Sequence, residues 1–157
     1  FRLIVTLSFN TRMKMRAAAY GMDQLREWSL RHPDQTRAQD YLDRMSSPAD
    51  LDAVAAAEKK LRWHMERLEK QLNSSGGPWV CGEIFSLADI CLAGIVDRIE
   101  YLAREHLWGG LPAVTAWADR IRQRPSYLAA APAFDDRMWG PLKPVPGNRQ
   151  TDREETQ

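Results

Sequence analysis

Cysteine is scarce in this 157-residue chain, which carries only Cys81 and Cys91. Nine residues separate them, with no CxxC and no histidine cluster alongside, so a disulfide scaffold and a zinc module are both excluded. No run of about 18 apolar residues exists, so no membrane-spanning helix is predicted. A signal-peptide pattern is missing as well. Neither sign of charge is in excess: 22 basic and 21 acidic side chains leave a net charge of +1. Nucleic-acid binding needs a concentrated basic face, and Arg12, Lys14 and Arg16 read instead as a solvated one. These absences leave a soluble, cytoplasmic protein with reduced thiols and no nucleic-acid, membrane or metal partner as the expectation.

Strand signals are equally thin. Ile4-Val5-Thr6 is β-branched and leans towards strand, but no other segment offers it a partner to satisfy its backbone. Residues 1–10 are therefore read as the end of a helix. The start at Phe1 suggests that the beginning of that helix has been cut off.

What the chain does have is helical periodicity. One helix is expected from Met13 to Ser29, with Met15, Ala18, Met22, Leu25 and Trp28 near a 3.6 period, and His32-Pro33 breaks it. A short helix follows from Gln35 to Met45. Ser47-Pro48-Ala49-Asp50 reads as the next start, with Ser47 as cap. That helix should run to Leu72 on a stripe of Leu51, Val54, Leu61, Met65, Leu68 and Leu72. Glu58 with Arg62, and Glu66 with Lys70, sit at i,i+4 on its wet side.

Phe85-Ser86-Leu87-Ala88-Asp89-Ile90 is the sharpest start. Ser86 stands at the N-cap, Asp89 at N3 closes a capping box, and Phe85 with Ile90 forms a hydrophobic staple. Loss of the Ser86 cap should cost about 1 kcal/mol. Ile90 to Val96 is apolar or glycine throughout, which predicts a helix buried on all sides at the centre of the domain. Gly94 within it implies close approach by a neighbouring helix. After a turn at Trp108-Gly109-Gly110, Leu111, Val114, Trp117, Ala118 and Ile121 form the inner face of another helix that Pro125 stops. Ser126 can cap a short helix through Ala131, and Phe134–Trp139 can add a turn. The expected organisation is one helical domain over 1–140 and a disordered tail over 141–157.

Four blocks in order carry a family resemblance: Pro78-Trp79-Val80-Cys81-Gly82-Glu83, Phe85 to Ile90, Leu111-Pro112-Ala113-Val114-Thr115-Ala116-Trp117, and Arg124-Pro125-Ser126. Together they resemble the C-terminal domain of glutathione transferases, strictly over 78–131 and more weakly back to Trp28. Within the family, Arg31 to Asp34 and Trp79 to Gly82 look most like two branches. One is the ganglioside-induced differentiation-associated proteins, the other the bacterial transferases that include tetrachlorohydroquinone dehalogenases. The chain departs from the first branch at its polar end, Arg153 to Gln157, where those proteins carry a hydrophobic anchor.

The resemblance implies an all-α bundle around a central buried helix, cytoplasmic and serving detoxification. It also implies a parent enzyme whose thioredoxin-like domain, absent here, binds glutathione as co-substrate and activates its thiol. This domain would then line the site of a small hydrophobic electrophile and contribute homodimer contacts. No catalytic residue is assigned to it. Val5, Phe9 and Arg12, one helical face at i, i+4 and i+7, are candidate substrate contacts, with packing into the core or the dimer as the competing reading. Trp108 and Trp139 are aromatic residues near helix ends, where pocket mouths or core caps lie, and Trp108 is the fourth candidate substrate contact. Asp89 is read as a cap rather than an acid or base, Cys81 as a small buried hydrophobe and Cys91 as core. His32, His64 and His106 are scattered, so no metal is expected. The alternative is a transferase-like domain without catalysis, used for protein interaction.

Overall fold

The computed structural model describes residues 2–130, and every described element is helical. The turn read at 134–139 and the tail read at 141–157 lie outside them. The described elements are α1 (Arg2–Ser8), a π turn (Phe9–Met13), α2 (Lys14–Tyr20), α3 (Met22–Leu30) and α4 (Gln35–Ser46). Then come the long α5 (Leu51–Ser74), α6 (Leu87–Tyr101), a 3-10 turn (Glu105–Trp108), α7 (Pro112–Arg122) and α8 (Pro125–Ala130).

The segment that begins the chain is helical, but it does not run regularly. Asn10 donates its side-chain amide to the Thr6 carbonyl and Thr11 its hydroxyl to that of Leu7, each at i−4. Such side-chain bonds compete with backbone N–H groups for the same carbonyls, and here the turn widens to the π form. The helix expected over 13–29 is two helices, because Gly21 at φ 78° and ψ 155° breaks it. Met15 and Ala18 consequently lie on the surface rather than on an inner face.

The start assigned to Ser47 is displaced. Ser47 closes α4, its N–H bonding the Asp43 carbonyl and its hydroxyl that of Arg44. Asp50 caps α5 by accepting from Ala53 N–H at 2.8 Å, and Asn10 in turn accepts the Asp50 N–H at 2.9 Å. Leu61, Met65, Leu68 and Leu72 are buried, while Leu51, one residue past the cap, is exposed. The expected i,i+4 pairing also changes: Arg62 pairs forward with Glu66, and Glu58 crosses to Arg104 at 2.6 Å.

The main core joins α1, α5, α6 and α7 around Leu7, Met65, Ile99, Val114 and Trp117. A smaller one, Ala17, Leu25 and Met45, ties α2 to α3 and α4. The inner face read for α7 is buried throughout. Its N-terminus, however, is capped from another helix. Leu111 at the cap position offers no side-chain acceptor, and Glu69 on α5 accepts from Ala113 N–H at 3.1 Å and Val114 N–H at 2.9 Å. A carboxylate there satisfies two otherwise orphaned donors and faces the positive helix end. Glu69→Ala is expected to lower stability by about 1–2 kcal/mol, and Glu69→Gln by under about 1 kcal/mol, read as shifts of the urea midpoint.

Candidate functional site

The loop between α5 and α6 sets the entry of α6. An antiparallel bridge pairs Trp79 with Gly82 through two 3.0 Å hydrogen bonds. Gln71 donates to the Val80 carbonyl and Arg120 to that of Pro78, both at 2.9 Å, so α5 and α7 hold the loop from either side.

Asp89 lies inside this arrangement and is fully buried. One carboxylate oxygen accepts from Val80 N–H at 3.0 Å and from the Trp117 indole at 2.8 Å. The other accepts the Ser86 N–H and hydroxyl, each at 2.9 Å. Burial pushes the pKa of Asp89 upwards, but the hydrogen bonds from Val80, Trp117 and Ser86 outweigh it and hold the group below its ordinary 3.8. A carboxylate with four donors on its two oxygens and no exposed surface binds loop, cap and α7 together. It has no proton to exchange with a ligand.

α6 is not buried on all sides. Asp89, Val96 and Ile99 enter the core, but Leu87 is 76% exposed and Ile90 54%, and Gly94 is exposed with nothing within 4 Å of where a Cβ would stand. The expected close approach at Gly94 is therefore absent among the described residues. Cys91 is exposed instead of core, and so is Cys81 in its loop. An apolar run states only that a surface favours cover; it does not say that these helices supply the cover.

This open side of α6 forms one edge of a groove of about 460 Å³ that α7 and α8 complete. Phe85, Ile90, Ala93, Ile121 and Tyr127 make it predominantly apolar, and Ala130 lines it at the last described position. Arg98 and Arg124 also line it. The Arg124 group stacks on the Phe85 ring at 3.5 Å, Phe85 meets Trp79 edge-on, and the buried Arg124 Nε has no hydrogen-bond partner among the described residues. Asp97, the acidic lining residue, takes the Tyr127 hydroxyl at 2.7 Å.

The four candidate substrate contacts lie elsewhere. Val5 is half-buried on α1. Phe9 begins the π turn and packs on Tyr41 at 5.1 Å, with Arg44 over its ring. Arg12 donates to the Tyr101 carbonyl at 3.1 Å, and its guanidinium lies over the Tyr101 ring at 4.9 Å, with that of Arg98 at 5.0 Å. Trp108 is a core side chain with 6% exposure, so it offers a ligand almost no surface. The histidines remain apart: His32 meets Trp28, His64 meets Trp63, and His106 approaches Glu58 at 3.8 Å. Among the described residues no group of three or more His, Cys, Asp or Glu could hold a metal ion.

The described residues form an all-helical bundle organised by the buried capping-box aspartate Asp89, with a mostly apolar groove beside α6. The family model for the C-terminal domain of glutathione S-transferase matches residues 35–129, and the chain belongs to that family. The chain is also similar to the 2,5-dichlorohydroquinone reductive dechlorinases of two strains of Sphingobium indicum, with 39% identity over 85 residues in each case. That match covers 52% of this chain and 23% of each relative, so the chain spans well under two thirds of their length. No solved structure matches it. No helix among the described residues is long and apolar enough to cross a membrane.

Proposed function

We propose that this chain is the helical half of a glutathione-dependent enzyme acting on a small hydrophobic electrophile of the chlorinated aromatic class. Family membership over residues 35–129 carries the proposal, and the kinship with dechlorinases suggests the substrate class. In the parent, a glutathione thiolate attacks the electrophilic carbon, a carbon–sulfur bond forms and chloride leaves. Glutathione binding and thiolate stabilisation would fall to a thioredoxin-like domain that is not within these 157 residues. This chain would supply an apolar wall from Val5 and Phe9 and a cationic edge from Arg12, whose guanidinium shares the Tyr101 ring with Arg98. It would also supply contacts of a cytoplasmic homodimer.

The parent protein, assayed with glutathione and a chlorinated hydroquinone, is expected to release chloride above the uncatalysed rate and to be retained on immobilised glutathione. Neither release nor retention would overturn the enzyme assignment and leave a domain used for protein interaction.

A further inference from the structure

We propose that the hairpin of α3 and α4 is a lid that opens as a unit and closes on Phe9, with Lys14 as its latch; this rests on the reading of Phe9 as part of the substrate wall. The chain has two cores of very different size. Among the described residues, none between Leu7 and Val54 belongs to the main one. The smaller one buries Ala17, Leu25 and Met45, where α3 packs on α2 and α4, and α4 on α2 and the π turn. A unit that buries so little apolar surface of its own opens at lower free energy than the body it rests on. Both of its ends can pivot. Gly21, at φ 78°, breaks the helix between α2 and α3, and the exposed, irregular residues Ser47 to Asp50 join α4 to α5.

What holds the hairpin down is specific. The Lys14 ammonium on α2 donates to the Arg44 carbonyl at 2.6 Å, to the Ser47 carbonyl, and to the Ser47 hydroxyl at 3.3 Å. These groups stand at the C-terminus of α4, where a helix leaves carbonyls unpaired and favours a cation. Tyr41 meets the Phe9 ring at 5.1 Å, and the Arg44 guanidinium lies over the same ring at 5.3 Å. Two α4 side chains therefore occupy the ring of Phe9, and a substrate that stacks on it must displace them. Asn10 stays with the body: it accepts the Asp50 N–H at 2.9 Å and fixes the end from which α4 swings. Opening uncovers Phe9 and Ala17 together. A gate of this kind admits substrate when open and excludes water when closed.

The test is native-state hydrogen exchange of the full chain at low urea concentrations. Amides of α3 and α4 are expected to exchange roughly 100-fold faster than those of α5 and α7, with a weak urea dependence that they share. Lys14→Met is expected to speed exchange in α3 and α4 about tenfold and to leave α5 and α7 unchanged. Lys14→Arg, which keeps a cation and its donors, should stay near the wild-type rate. A second measurement places one cysteine under the lid, by Ala17→Cys or Phe9→Cys, or in the main core by Ala57→Cys, each in a Cys81→Ser, Cys91→Ser background. Reaction of the first two thiols with a disulfide reagent is expected to speed about tenfold when Lys14→Met is added, while Ala57→Cys stays unreactive on that timescale. Exchange of α3 and α4 at the rate and urea dependence of α5 and α7, or a Phe9→Cys thiol indifferent to Lys14→Met, overturns the proposal. Failure of the parent to release chloride would overturn the substrate reading and would not alter the exchange or thiol results.

Discussion

Asp89→Ala is expected to remove about 3–5 kcal/mol of stability, a large share of the roughly 5–15 kcal/mol that holds a domain of this size folded. The side chain touches no exposed surface, yet the buried Val80 N–H and Trp117 indole N–H both end on one of its oxygens. Each donor left buried without an acceptor costs about 1–3 kcal/mol, and the cap of α6 is lost at the same time. Asp89→Asn keeps the volume but turns an NH2 towards groups that are themselves donors, so a loss of about 2 kcal/mol is expected. Urea titrations followed by tryptophan fluorescence measure both. The pH dependence separates charge from shape. Hydrogen bonds hold the folded pKa below 3.8 against the opposing effect of burial. The unfolded state therefore binds this proton more readily, and the stabilisation is fully present above about pH 4 and lost as pH falls through the folded pKa. Asp89→Asn should flatten the wild-type decline below about pH 4, and an unchanged acid limb would refute the role given to the carboxylate.

Gly77→Ala is expected to cost about 2–3 kcal/mol through a contact that no side chain now makes. A Cβ at this position would stand 2.4 Å from the Gly82 carbonyl carbon and 2.6 Å from the Glu83 nitrogen. Both are backbone atoms and cannot swing away, so the Trp79–Gly82 bridge must open. Opening it withdraws Val80 N–H from Asp89, and the two substitutions should therefore combine to less than their sum. Hydrogen exchange at the Val80 amide is expected to accelerate in Gly77→Ala before any global unfolding. Gly94→Ala is the contrast: with nothing within 4 Å of its Cβ and a helical backbone, it should stabilise by up to about 1 kcal/mol.

The capping box at Ser86 and Asp89 was legible because its partners are three residues apart and local spacing specifies them. Its other half was not, since Val80 and Trp117 reach Asp89 from 9 and 28 positions away. The inner face of α7 was legible for the same local reason, whereas its cap was not. The one local hint was negative: Gly109-Gly110-Leu111-Pro112 has no capping side chain, which implies an acceptor from elsewhere. The break at Gly21 hid among good helix formers. Trp108 sits at a helix end like a pocket-mouth residue and proves to be core, because the 3-10 turn folds it inward.

By itself the sequence determined the helical class, the order of the helices and the family, through periodicities and caps that act within a turn or two of chain. Only the tertiary structure decided which apolar surfaces are covered. Hydrophobicity is non-directional, so the run from Ile90 to Val96 is equally apolar whether a helix of this chain lies over it or nothing does. Among the described residues the fold covers Val96, leaves Cys91 exposed and sets Ile90 and Gly94 on the lining of a groove, and the electrostatic partners of Asp89, Glu69 and Glu58 followed from that same packing.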